Sequence, residues 1–162
     1  MAVGSMDNSK YVAAEMGHSK TEIYNHSAST WKSKNDYPFH EGIEAFEIVL
    51  FSSKFLVFGG LYPDVKSTGF YTTNVIALFN PDLNKWTKIG NLQYSRHAFG
   101  LIEIENKYLI IGGQGRMHTE TCEVTGETIK CDSREPIVNN FRYYPAMMLV
   151  SDESINQCKK LT

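Results

Sequence analysis

Apolar and polar positions alternate with period two through most of this chain, in short runs that stop on glycine, asparagine, serine or proline. Such alternation predicts half-buried β-strands, because successive side chains of a strand point to opposite faces. The clearest runs are KFLVFGG, Lys54 to Gly60, and KYLIIGG, Lys107 to Gly113, which lie 53 residues apart. No stretch keeps a helical period over the roughly ten residues a helix needs. The pattern therefore predicts an all-β chain.

The two runs belong to a longer repeat, and fixed-period self-similarity decides architecture. At an offset of 53, AFEIVLFSSKFLVFGG (Ala45 to Gly60) lies over AFGLIEIENKYLIIGG (Ala98 to Gly113) without a gap. Each reads as two strands around a tight turn, at Ser52-Ser53 and at Glu105-Asn106. At an offset of 98, Gly17 to Pro38 lies over Gly115 to Pro136, with Gly17, Thr21, Glu22, Thr30, Lys32 and Pro38 meeting identical residues. In that register Trp31 meets Ile129, and Ala14-Glu15 stand where Gly112-Gly113 stand. The middle copy joins at Phe79-Asn80 and Trp86, and its extra residues fall in Leu61 to Phe70.

These registers predict strands at Lys10 to Ala14, Thr21 to Asn25 and Thr30 to Ser33 in a first repeat. The second supplies Glu44 to Phe51, Lys54 to Phe58, Asn74 to Phe79 and Lys85 to Lys88. The third supplies His97 to Ile104, Lys107 to Ile111, His118 to Glu123 and Glu127 to Cys131, and Tyr144 to Val150 opens a fourth. The chain divides into a flexible start at 1–9, a repeat segment at 10–150 and a flexible or truncated end at 151–162. Within the segment the repeats run about 10–42, 43–95 and 96–140, with the start of a fourth at 141–150.

Composition narrows the function classes. With 162 residues, 42% hydrophobic and 21% charged, the chain has the makings of one folded domain with a core. Its aromatic excess, nine Tyr, nine Phe and two Trp, suits strands. A net charge of −2 gives no basic footprint for nucleic acid, and the apolar runs fall far short of the roughly 20 residues of a membrane span. Three cysteines, Cys122, Cys131 and Cys158, lack zinc-ligand spacing.

A repeat of about 50 residues with a Gly-Gly pair after a strand, then an aromatic followed by Asn-Pro-Asp, then a Trp, resembles the kelch repeat. Here these residues are Gly59-Gly60, Phe79-Asn80-Pro81-Asp82 and Trp86, with Gly112-Gly113 and Trp31 in the other copies. The resemblance implies a kelch-type β-propeller segment of about three four-stranded antiparallel blades, an incomplete ring, since closed propellers take 4 to 8 blades. It also implies a protein-binding module or scaffold with no catalytic, cofactor or metal residues, working on a protein partner through its rim loops. A second copy or missing blades would complete the ring. The alternatives are a remnant of a propeller enzyme such as a copper radical oxidase, or a truncated fragment with no role of its own.

Physical chemistry gives the motif residues structural work. The glycines allow positive φ and close approach of a neighbouring blade, and Trp31 and Trp86 are plates suited to the gap between sheets. The candidate rim loops are Leu61 to Phe70, Asn91 to Arg96, Gln114 to Met117 and Asn139 to Tyr143. From them come the partner-binding candidates Tyr62, Asp64, Lys66, Tyr71, Arg96, Arg116, Arg142 and Tyr143. Set against this, the 61–70 insertion reads equally as a solvated loop, and Arg96 and Arg142 as internal clamps of the blades. His97 and His118 read as structural histidines, with no ligand spacing for copper. Cys122 and Cys131 flank a turn equidistantly in CEVTGETIKC, which sets them opposite each other as a disulfide or as two reduced thiols. A bridge, with the glycosylation triplet at Asn25, favours an extracellular setting; reduced thiols favour the cytoplasm.

Overall fold

The computed structural model describes residues 2–7, 10–14, 19–40, 42–64, 69–114, 118–134, 145 and 147. All regular structure among them is β, in three four-stranded antiparallel sheets and one small hairpin. The first sheet holds β1 (Ala2–Asp7), β2 (Lys10–Ala14), β3 (Thr21–Asn25) and β4 (Thr30–Lys34) in that order. The second holds β5 (Glu47–Phe51), β6 (Lys54–Phe58), β9 (Val75–Asn80) and β10 (Lys85–Asn91), with the hairpin β7 (Leu61–Pro63) and β8 (Phe70–Thr72) inserted between β6 and β9. The third is β11 (Phe99–Ile104), β12 (Lys107–Gly112), β13 (Thr119–Thr125) and β14 (Thr128–Arg134). The first strands lie side by side, β1 against β5 and β5 against β11, while β10 lies against β14 at the outside. That is the arrangement of propeller blades, and three blades make an incomplete ring.

The start of the chain differs from the flexible segment expected at 1–9. Residues 2–7 form β1 and pair with β2, because β2 would otherwise present a row of unpaired backbone groups at the sheet edge. Other strands shift by one to three residues; Glu44, for instance, makes a bridge to Leu61 ahead of β5. Most of the strand expected at Tyr144 to Val150 lies outside the described residues. Pro145 and Met147 lie against Gly100 of β11, where an added Cβ would come within 2.9 Å of both.

The repeat seen in sequence is a repeat of backbone geometry. Ser52-Ser53 and Glu105-Asn106 have φ of 47° and 62°, and of 51° and 63°, the positive pair that a two-residue hairpin turn needs to match strand twist. The glycine pairs also match, with φ of 55° and 118° at Gly59-Gly60 and of 74° and 94° at Gly112-Gly113. A Cβ on Gly59 would sit 2.6 Å from the Arg96 carbonyl, and one on Gly113 2.8 Å from the His97 carbonyl. Glycine is required there twice over, by φ and by the close approach of the segment at Arg96 and His97, which leads into the third blade, the one after that of Gly59 and the one that holds Gly113 itself.

Between the second and third blades the core is built of Leu56, Phe58, Ile76, Phe99, Tyr108 and Ile110. Between the first and second it is Tyr37, Ile43, Phe46, Val57 and Ala77, joined by Ile23, Phe55 and Phe79. Trp86 fills this second gap: its ring lies 4.8 Å from Phe79 and 5.2 Å from Tyr37, and its Nε1 donates to the Asn35 carbonyl at 2.9 Å. Trp31 departs from expectation. It packs on Tyr24 at 5.0 Å in the register of Phe79 and Trp86, yet stays 48% exposed, because no described residue follows on its far side as Tyr37 does for Trp86.

Ile129 does not take the place of the tryptophan in the third blade. The outer hairpins of the first two blades turn over four residues, 26–29 and 81–84, and the third over two, 126–127. The shorter turn moves the register by two, so that Cys131, opposite Cys122, stands where Trp86 stands opposite Phe79. Those two buried cysteines are joined by a disulfide, S–S 2.04 Å.

Candidate functional site

The insertion at 61–70 folds as a wall rather than a plain loop. Leu61 pairs with Thr72, Tyr62 with Tyr71 and Pro63 with Phe70, and the Asp64 amide donates to the Gly69 carbonyl at 3.0 Å to close the hairpin. Strand alternation puts Tyr62 and Tyr71 on one face and Leu61, Phe70 and Thr72 on the other. The first face is held down at Tyr62, which stacks on His40 at 3.9 Å with planes 7° apart, whereas Tyr71, 5.8 Å from Tyr62, stays exposed and reaches the edge of the neighbouring cleft. His40 is fixed in turn by a 3.0 Å hydrogen bond between its Nε2 and Thr73 Oγ1. Burial, with the charge of Lys88, holds His40 below the ordinary histidine range. Backbone bonds between Glu44 and Leu61, 2.8 Å each way, and from the Thr73 amide to the Gly60 carbonyl, 2.9 Å, anchor the base.

The second face borders a cleft of about 670 Å³, within the range of ligand sites, whose opposite side is made by Ser95, His97 and Gln114. Phe70 and Tyr71 stand at its lip, 59% and 54% exposed. His97 is 8% exposed, and its Nδ1 is buried without a hydrogen-bond partner. Burial holds its pKa below the ordinary histidine value, against the opposing pull of a hydrogen bond with Gln114 and of the Glu44 charge. The ring is neutral at physiological pH, so the described lining carries no charge.

Arg96, between Ser95 and His97, holds that side in place. Its guanidinium is fully buried and bonds to Glu120 Oε1 at 2.7 Å and to the carbonyls of Gly112 and His118 at 3.0 and 3.1 Å. Glu120 also accepts from the amides of Gln93 and Tyr94, at 2.7 and 3.2 Å, and so fixes the loop that carries Ser95. The backbone of Arg96 links the blades, its carbonyl accepting from Gly60 at 2.9 Å and its amide donating to Thr73 at 3.2 Å.

Three of the four rim loops read from sequence thus meet at one cleft, through Leu61 and Phe70, Ser95, and Gln114. Arg96, read as a partner-contacting residue or an internal clamp, is the clamp, because a guanidinium with no access to solvent, paired with a carboxylate, cannot reach a ligand. Tyr62 supports the wall from behind, and Asp64 lies at the hairpin tip. Lys66, Arg116, Arg142 and Tyr143 lie outside the described residues. His97 leaves one ring nitrogen, Nδ1, without a hydrogen-bond partner, and His118 stacks on Tyr94 at 5.1 Å. Asn25 ends β3 and accepts the Ala28 amide at 3.1 Å within its turn.

Sequence reading missed His40, since no pattern joined it to an insertion 22 residues away, and Glu120, although the identity of Thr21-Glu22 with Thr119-Glu120 marked that position. Glu120, Cys122 and Cys131 form a cluster of ligand-type side chains, but they do not fit a metal. The sulfurs are bonded to each other and the carboxylate is taken by Arg96. Among the described residues no helix is long and apolar enough to cross a membrane.

No family model matches the sequence. Kelch-like protein 11 of Mus musculus and of Homo sapiens are each 30% identical over 86 residues, which is 53% of this chain and 11% of the relative. The solved structure of YjhT is similar in fold, with a TM-score of 0.66 at 15% identity over 80% of this chain and 44% of that one. The match therefore spans about a tenth of Kelch-like protein 11 and less than half of YjhT. Blades in one repeated geometry, the glycine pairs and these likenesses together support a kelch-repeat assignment, with the chain carrying part of a propeller.

Proposed function

We propose that this chain is a non-catalytic protein-binding module that engages its partner at the rim cleft beside the β7–β8 hairpin. The observation that carries this reading is the pair of exposed aromatics, Phe70 and Tyr71, held on a braced wall over a preformed cleft. Exposed aromatics on a rigid support resemble interface anchors, which gain contact area at little entropic cost. The test is selection of a displayed random peptide library on the immobilised protein. Enriched peptides are expected to lose at least about tenfold in affinity on Phe70→Ala or Tyr71→Ala, as hot-spot anchors do, and to be indifferent to Leu83→Ala at a distant turn. No enrichment, or enrichment blind to residues 70 and 71, would sink the reading.

The exposed Trp31 face of the first blade is read as the seat of a further blade, supplied by a second copy of the chain. Sedimentation of the protein should then show a dimer that Trp31→Lys dissociates. A monomer at all concentrations counts against it.

A further inference from the structure

At the end of the strands away from the rim cleft, the second and third blades differ in one row of side chains. In the third, Lys107, Glu123 and Lys130 pair in turn across β12, β13 and β14, and Lys107 Nζ lies 3.3 Å from Glu123 Oε2. Their counterparts in the second are Lys54, Asn80 and Lys85, with Lys85 paired to Asn80 and Lys54 one step beyond the Phe55–Phe79 pair. An amide thus stands between two lysines where the third blade has a carboxylate. The turns explain the exchange. Asn80 Oδ1 accepts from the amides of Asp82 and Leu83 at 3.0 and 3.1 Å and caps a four-residue turn, as Asn25 caps that of the first blade. The two-residue turn of the third blade leaves the position free for Glu123.

Strand alternation puts Lys54, Asn80 and Lys85 on the face opposite Phe55, Phe79 and Trp86, and so toward the third blade. There they border a groove of about 500 Å³ floored by Phe51, Leu78, Ile89 and Val124. Between the first and second blades the same end is closed by the four-residue turn: Lys34 Nζ donates to the Pro81 carbonyl at 2.9 Å, and Asn35 exchanges two hydrogen bonds with Asn84, at 2.8 and 2.7 Å. The shorter turn at 126–127 makes no such bond to the second blade among the described residues, and the groove stays open. The carboxylates of the adjoining turns, on Asp82 and Glu127, pair with neither lysine. Asn80 spends its side-chain oxygen on the turn and keeps its amide donors.

We propose that this groove is a second interaction surface, apart from the rim cleft, and takes an acidic segment of a protein partner. One carboxylate sits over Asn80 between Lys54 and Lys85, as Glu123 sits between Lys107 and Lys130, and a neighbouring apolar side chain enters the groove onto Leu78 and Val124. The third blade supplies from its own chain the charge that the second takes from a partner.

The test is fluorescence anisotropy of a labelled peptide, Gly-Ser-Glu-Leu-Glu-Leu-Glu-Gly-Ser, titrated with the whole chain. Beside it run the same peptide with Gln for Glu, the same with Ser for Leu, and a labelled single-stranded thymidylate decamer. The Glu-Leu peptide is expected to bind saturably and to weaken as salt rises, and the Gln and Ser forms to bind at least about tenfold more weakly. Lys54→Gln with Lys85→Gln should cost at least about tenfold. Asn80→Asp, which keeps an oxygen for the turn and places a carboxylate between the lysines, should cost as much while leaving the thermal midpoint near that of the parent. Phe70→Ala should change nothing. A Glu-Leu peptide that fails to bind, or that binds the double lysine variant as well as the parent, overturns the inference. Binding of the thymidylate decamer alone through the same lysines overturns it too, in favour of a nucleic-acid partner. Binding that depends on Phe70 and ignores the lysines moves the peptide to the rim cleft, which overturns this inference and leaves the rim-cleft reading standing.

Discussion

The second and third blades share one backbone plan and solve the same two packing positions with different chemistry. At the entry to each blade, Ile43 of the second packs with Ala77 and Val57, whereas Arg96 of the third, 53 residues on, pairs with Glu120. The positions correspond: Ala77 stands opposite Val57, and Glu120 opposite Ile110, which repeats Val57. On the outer hairpin, Phe79 and Trp86 of the second blade are matched by the Cys122–Cys131 disulfide of the third. The fold needs each position filled, and the repeat does not dictate how. Where the filling is polar, it does additional work: Glu120 ties down the loop that presents Ser95, which Ala77 could not do for any loop.

The largest effect should come from splitting the ion pair. Arg96→Met or Glu120→Ala leaves a fully buried charge without its partner and is expected to destabilise the protein by about 3–5 kcal/mol in urea unfolding. A result below about 1 kcal/mol would remove the buried pair from the description. The double change Arg96→Ile with Glu120→Ala copies the second blade and should be less destabilising than either single change. It should still fall short of the parent, because the amides of Gln93 and Tyr94 lose their acceptor. Full recovery would mean that those two bonds contribute nothing.

Replacing both cysteines by Ala should lower stability by about 2–3 kcal/mol, the value for a loop this short, with a sequence separation of 9. The parent should show one free thiol without reductant if Cys158 is reduced. Parent and variant unfolding at the same urea concentration without reductant would show that the bridge does not form.

The smallest effect lies at Glu47, whose counterpart in the third blade is Gly100. Burial pushes the Glu47 carboxyl from 4.5 up to about 7. The folded state then holds a proton that the unfolded state releases, so stability falls as pH rises through that window and the loss is complete above it. Glu47→Gln should match the parent at pH 4 and exceed it at pH 8 by about 1 kcal/mol, with the partial exposure of the group screening a larger effect. An equal difference at both pH values would separate the effect from titration.

Much of this architecture could be read in the chain, since glycine pairs and two-residue turns are demands of backbone geometry and leave a mark at fixed spacing. The pairing of Cys122 with Cys131 was legible from their even spacing about the turn. That Cys131 rather than Ile129 stands in the tryptophan's place was not, because a turn two residues shorter shifts pairing without disturbing the sequence alignment at Ile129. The buried state of Arg96 was not legible either: its partner lies 24 residues away on another strand, and an arginine looks the same in sequence whether it meets solvent or a carboxylate. Trp31 shows the converse. Its register was readable, but burial depends on what stands beside a blade, which a residue's own surroundings in sequence do not encode.

Arg96 has a practical consequence for any mutational map of this surface. It sits between two residues that border the cleft, and its loss would loosen Ser95 and His97 together. An alanine scan read by affinity alone would rank it among the strongest contacts of the site, although no ligand can reach it. Paired readings of affinity and thermal midpoint would sort the positions: Phe70 should move the first and spare the second, while Arg96 should move both.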